Sequence, residues 1–197
     1  FKASDFSLNA TLSYALSARL AGGVTARFIY SSIGDYHSTA AAIDLGLNYY
    51  DEEKDFSASI VAKNLGGQLS AYNEEYEKMP ADLKVGLTKR LIGTAFRVSL
   101  TAADLTHWDY SLLRHFTVGA DLLITDQIYV AAGYNFRRAH QMSILSPDDD
   151  FDDKESSHGA GLSLGAGLSI DRFCLHVSYA KYHASSSSLM VNLGFNL

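Results

Sequence analysis

"SSLMVNLGFNL" (Ser187–Leu197) alternates strictly. Leu189, Val191, Leu193, Phe195 and Leu197 fall on one side of an extended chain, and Met190, Asn192, Gly194 and Asn196 on the other. Successive side chains of a β-strand point to opposite faces, so a period of two predicts a strand with one apolar face. The sequence closes on this strand, and the question is which solvent such a face meets.

The same alternation recurs about eleven times along the chain. Leu8–Leu16, Val24–Tyr30, Ile43–Tyr49, Phe56–Ala62, Leu83–Leu87 and Phe96–Ala102 carry an apolar residue at every second position. So do Phe116–Ile124, Ile128–Phe136, Leu162–Ile170, Phe173–Tyr179 and the closing strand. No helical period of useful length competes with it, so the chain reads as an all-β, antiparallel meander. Only Pro80 and Pro147 interrupt it, which suits long strands.

The alternate positions identify the solvent. A soluble sandwich places Lys, Glu and Thr on its outer face, whereas here those positions are small or uncharged. Ser7, Asn9, Thr11 and Ser13 form one such row, and Gly161, Ser163, Gly165, Gly167 and Ser169 another. Arg27, Asp44, Lys63, Lys84, Arg97, Asp121, Arg137 and His176, the mid-strand charges, share this face. An apolar outside around a small, polar, internally paired inside is the pattern of a transmembrane β-barrel, which closes because lipid leaves no partner for open backbone groups.

Connections support that reading. Short links are expected near Ala18–Ala21, Asp51–Asp55, Ile92–Thr94, Thr125–Gln127 and Ile170–Arg172. Longer ones are expected near Ser32–Ala40, Gly67–Ala81, Asp104–Arg114, Ser143–His158 and His183–Ser188. Strict alternation of the two kinds matches short periplasmic turns and long extracellular loops. Tyr14, Tyr30, Tyr49, Tyr134, Phe136 and Tyr179 fall near strand ends, where an interfacial girdle belongs. Residues 1–197 then form the C-terminal part of a single outer-membrane barrel domain, with about eleven strands visible and an odd number missing before Phe1, since such barrels hold an even count. The chain begins at Phe1 rather than Met, so the lack of a signal peptide carries no information on location.

Composition narrows the chemistry. A net charge of −6 without a basic run argues against nucleic acid. Cys174 stands alone, so no intrachain disulfide or cysteine zinc site is available. Ser146–Glu155 (SPDDDFDDKE) clusters oxygens as calcium loops do, but lacks the spacing and central Gly of an EF-hand. His107, Asp109, Ser111 and His115 include the residue types of a triad, yet no elbow or HExxH spacing sets them up. Arg137 and Arg138 suit lumen pairing, a solvated rim or anionic lipopolysaccharide. No catalytic residue, cofactor or metal site is expected.

Two groups of stretches carry a family likeness. "SIVAKNLGGQLSAYNEEYEKMPADLKVGLTKRL" (Ser59–Leu91) resembles the FadL-type superfamily of channels and its Bacteroidetes relatives. "AFRVSLTAADLTHWDY", "GYNFRRAHQ" and "SLGAGLSIDRFCLHVSYAKYH" resemble the PorQ family of the type IX secretion system. That resemblance implies a non-enzymatic outer-membrane protein holding a PorZ-like surface protein, within an attachment complex with PorU and PorV that links cargo to lipopolysaccharide. Tyr72, Tyr76, Trp108 and Tyr110 in the long loops are the expected partner-binding anchors, being the residue types that dominate interface cores. A FadL-type channel for hydrophobic solutes is the main alternative, followed by a general porin and a soluble β-sandwich.

Overall fold

The computed structural model describes residues 2–72, 76–141, 159–181 and 186–195. It is all-β: β1 (Ala3–Ser17), β2 (Leu20–Ile33), β3 (Tyr36–Asp51), β4 (Phe56–Ser70), β5 (Asp82–Arg90), β6 (Phe96–Ala102), β7 (Phe116–Leu123), β8 (Ile128–Asn135), β9 (Leu162–Ile170), β10 (Phe173–Lys181) and β11 (Ser187–Phe195). These strands form one antiparallel sheet in chain order, a meander whose order ends at β1 and β11. None of the helices among the described residues is long and apolar enough to cross a membrane, which says nothing about strands. The chain divides into two compact units, Phe1–Gly86 with Ala103–His107, and Leu87–Ala102 with Trp108–Leu197.

In the first unit the apolar rows line up across strands. Leu12 faces Val24, Val24 faces Leu45, and Leu45 faces Ala62. Leu12 is 75% exposed and Val24 and Leu45 are each 45% exposed, while Ser38, Ala40, Ala42 and Asp44 on the opposite face are buried. A sheet that folds in water does the reverse, burying its apolar face and wetting its polar one. Polar side chains on this face pair with one another across strands. Arg27 Nη2 donates to Asp44 Oδ2 at 2.9 Å, and Thr11 and Thr25 share a hydrogen bond across strands.

Two local departures shape this unit. Gly34 and Asp35 alone join β2 to β3, so Ser32–Ala40 is not a long loop and the alternation of loop lengths breaks there. Ser31, Ser32, His37 and Ser38 hide the strand period because they are polar on both faces, while Gly34 takes φ +60°, which a tight turn needs and glycine adopts without strain. The second departure is a β-bulge where Lys63 and Asn64 together oppose Asp44. Asn64 adopts φ +57°, its backbone N–H donates to Asp44 Oδ1 at 2.8 Å, and its side-chain oxygen accepts from Arg27 at 3.3 Å. The bulge restores the facing of Leu65 opposite Ile43, and β4 runs on to Ser70, shortening the expected Gly67–Ala81 loop.

The second unit follows the same rule with shorter strands. Leu164 of β9 and Val191 of β11 are exposed, whereas Gly167 on the opposite face of β9 is buried. Arg97 Nε donates to Asp121 Oδ2 at 2.7 Å, and the Tyr129 hydroxyl and His176 Nδ1 are 3.0 Å apart. Gly167 makes this last pairing possible, since a Cβ there would lie 2.1 Å from the Tyr129 ring and 2.8 Å from His176 Nδ1. Gly167→Ala is therefore expected to evict the Tyr129 ring and to destabilise by about 1–3 kcal/mol, as overpacking does. Equilibrium urea unfolding of the two proteins checks this. An unchanged midpoint would mean that the ring moves aside freely.

Phe136 and Arg137 correct the reading of the eighth row. They belong not to a strand but to a short helix, α1 (Phe136–Gln141). Asn135 stops the strand by capping that helix, its side-chain oxygen accepting the Arg138 N–H at 2.9 Å. Arg137 is thus not a mid-strand inward charge. Phe136 keeps its aromatic contact with Tyr134, edge to face at 5.2 Å. Gly161 lets the returning chain approach α1, for a Cβ there would lie 2.6 Å from the Asn135 carbonyl oxygen.

Candidate functional site in the connecting loops

In the second unit, Trp108 and Tyr110 are organised by a buried histidine. Residues 112–115 form a 3-10 turn begun by Ser111, and it delivers His115 to a position only 2% exposed. The His115 ring packs against Trp108 (centroids 4.8 Å) and stacks on Tyr110 (4.7 Å). The Arg137 guanidinium covers Tyr110 at 4.6 Å, a cation–π contact contributed by α1. Arg114 and His140 hydrogen-bond between the same two elements. Tyr110 is therefore committed to holding the loop together, while Trp108 remains 61% exposed. An exposed, ordered indole on a braced loop is suited to anchoring a partner, because aromatic anchors held rigid lose little entropy on binding.

Tyr72 and Tyr76 lie in the first unit and differ from one another. Tyr72 is half-buried and Tyr76 is 65% exposed. Their loop is tied to the polar face: Gln68 Oε1 accepts the Glu77 N–H at 2.7 Å, and Asn64 Nδ2 donates to the Pro80 carbonyl at 3.0 Å. Asn64 thus fastens both a strand bulge and a loop. The Asp104–His107 segment joins the same unit, with Asp104 N–H donating to Asp82 Oδ1, Leu105 N–H to the Leu83 carbonyl, and Thr106 Oγ1 to the Ala81 carbonyl.

His107 Nδ1 sits 2.8 Å from Asp104 and 3.0 Å from Thr106, His115 is locked in its aromatic stack, and Ser111 begins a turn. Among the described residues, no three His, Cys, Asp or Glu side chains gather as metal ligands would. The oxygen-rich Ser146–Glu155 segment lies outside the described residues, as do His158 and His183.

At the turn end of the first unit, Arg19 reaches Asp51 Oδ2 at 3.2 Å. The Tyr49 hydroxyl, and after it the Asp51 carboxylate, hold the Arg19 guanidinium above its ordinary pKa. Asp51 also accepts the Lys54 N–H at 3.3 Å, which closes the Glu52–Asp55 turn.

Sequence reading missed the bulge at Asn64, the seat of Tyr129 on Gly167 and the Arg137–Tyr110 contact. The "NLGG" run and the alternate glycines around Gly167 were the available signals, since glycines inside strands mark bulges and close approach. No protein-family model matches this chain, and no curated protein matches it.

Proposed function

We propose that this chain is part of an outer-membrane β-barrel that retains a surface protein partner and carries out no catalysis. The observation that carries the reading is the inverted exposure of the sheet. Its apolar rows are exposed, while much of the small and polar face opposite is buried or half-buried, with Arg27 paired to Asp44 and Arg97 to Asp121, an arrangement that is favourable when the surrounding solvent is lipid. The braced loop presenting Trp108, and Tyr76 in the other unit, supply exposed aromatics for a protein surface. The family resemblance supplies the partner class, a PorZ-like surface protein beside PorU and PorV at lipopolysaccharide.

Trp108→Ala is expected to lower partner retention about thirtyfold, the equivalent of roughly 2 kcal/mol for an aromatic anchor, without altering heat-modifiable gel migration. Tyr110→Ala is expected to lower retention as well, and also to loosen the loop by removing the seat of His115 and Arg137. Pull-downs from detergent extracts of the wild type and both variants measure this. Equal recovery of the partner by all three would remove these loops from the interface. Recovery of bound fatty acid with no protein partner would favour the channel.

Membrane crossing has its own test. With Cys174→Ser as background, Glu77→Cys is expected to react with an impermeant thiol reagent on whole cells. Glu53→Cys, whose parent side chain is 82% exposed on a short turn, is expected to react only after permeabilisation. Equal labelling of both on whole cells would mean that the first unit does not cross a membrane.

A further inference from the structure

The first unit contains an apolar notch of about 550 Å³. Its walls are Leu12 and Leu16 of β1, Leu45 and Leu47 of β3, and Ile60 of β4, all from the exposed apolar rows. Gly22 deepens it, because it faces Tyr14 and Leu47 across the strands and contributes no side chain to their row. The notch opens on the apolar face, opposite the buried Asp44 and its partner Arg27, so it is not a lumen pocket.

We infer that this notch holds one acyl chain of a membrane lipid. The inference rests on the reading that the apolar rows face lipid, and it adds a defined site to that face. Three properties select the occupant. Tyr14 contributes the one polar side chain of the lining, and the glycine backbones beneath belong to strands already paired in the ladder. A docked peptide would therefore leave its own N–H and C=O groups unsatisfied at a cost of several kcal/mol each. The volume is also too small for a helix, which with side chains fills on the order of 400–600 Å³ per turn. At roughly 30 Å³ for a group the size of a water or methylene, the notch takes about 18 such groups, one extended hydrocarbon chain. Finally, Tyr14 borders the notch near the Ala18–Arg19 turn, and its amphipathic ring suits the boundary where the chain gives way to a head group.

Gly22→Leu and Ala62→Leu each fill the notch. At Gly22 the nearest atoms to a new Cβ belong to the side chains of Leu16, at 3.2 Å, and Leu47, at 3.6 Å, so the variant should fold. Native mass spectrometry of protein extracted in mild detergent is expected to show one phospholipid retained by the wild type and at least a tenfold smaller retained fraction in both variants. In vesicles of brominated phosphatidylcholine, tryptophans placed by Leu47→Trp in the notch and Leu164→Trp outside it, both in a Trp108→Phe background, are expected to be quenched. If both tryptophans were quenched but no lipid was retained, or the filled variants retained it equally, the notch would be ordinary lipid-facing surface and the inference would fail alone. A dimer lost on filling the notch would assign it to a second copy and overturn the inference. If neither tryptophan was quenched, the lipid-facing reading itself would fall, and the inference with it.

Discussion

Asp44→Ala should destabilise the fold by about 3 kcal/mol, as expected when one member of a mostly buried ion pair is removed and the other remains. Arg27 keeps only 24% of its side chain exposed and would lose the Asp44 carboxylate at 2.9 Å. The same deletion leaves the Asn64 N–H without the acceptor that holds the left-handed bulge. The loss should therefore exceed that of Arg27→Met, and the double variant Arg27→Met with Asp44→Ala should be more stable than Asp44→Ala alone. Urea unfolding of the four proteins, arranged as a double-mutant cycle, measures the coupling. Additive losses would show that the pair contributes no coupling energy and that Asp44 acts through the bulge alone.

Leu164→Arg is the second large effect, and its size reports the solvent. Leu164 is already 49% exposed. In water an arginine at such a position changes stability by roughly 0.5 kcal/mol or less. At the middle of a bilayer the same change is expected to cost about 2–4 kcal/mol, because the guanidinium must be accommodated in hydrocarbon. Unfolding from vesicles, compared with a conservative Leu164→Met control, separates the two regimes. A near-zero difference would place β9 in water and sink the membrane reading. Ser163→Arg should act through another route, crowding the neighbouring strand, since Ser163 Oγ already donates to the Gly133 carbonyl at 3.3 Å.

Much of the strand inventory was legible because each row depends only on alternation within a short segment. Leu8–Leu16 and Leu162–Ile170 fall in β1 and β9 for that reason. The reading failed where local chemistry outweighed the pattern. Serines on both faces concealed the ends of β2 and β3, and the Asn135 cap turned Phe136 into a helix while its apolar character still suggested a strand. At the loops, the residue types of Trp108 and Tyr110 were visible, but their division of labour was not. It depends on His115 and Arg137, whose positions relative to Tyr110 arise only once the 3-10 turn and α1 have formed. Likewise, Gly167 is simply one of several strand glycines until β8 and β10 bring Tyr129 and His176 over it.

The meander order bears on how such a chain assembles. Every ladder joins strands adjacent in sequence, so each closure spans a single connection, widest between β8 and β9, and costs less loop entropy than pairing distant strands would. Native contacts are therefore close in sequence for an all-β protein, and proteins of low contact order fold faster than sandwiches built from distant strands. The sheet can grow by zippering, each new strand finding the preceding edge already in place. The two-residue Gly34–Asp35 hairpin, flanked by the long β2 and β3, is the natural point for that growth to begin, and the segment between β8 and β9 is where it would pause longest.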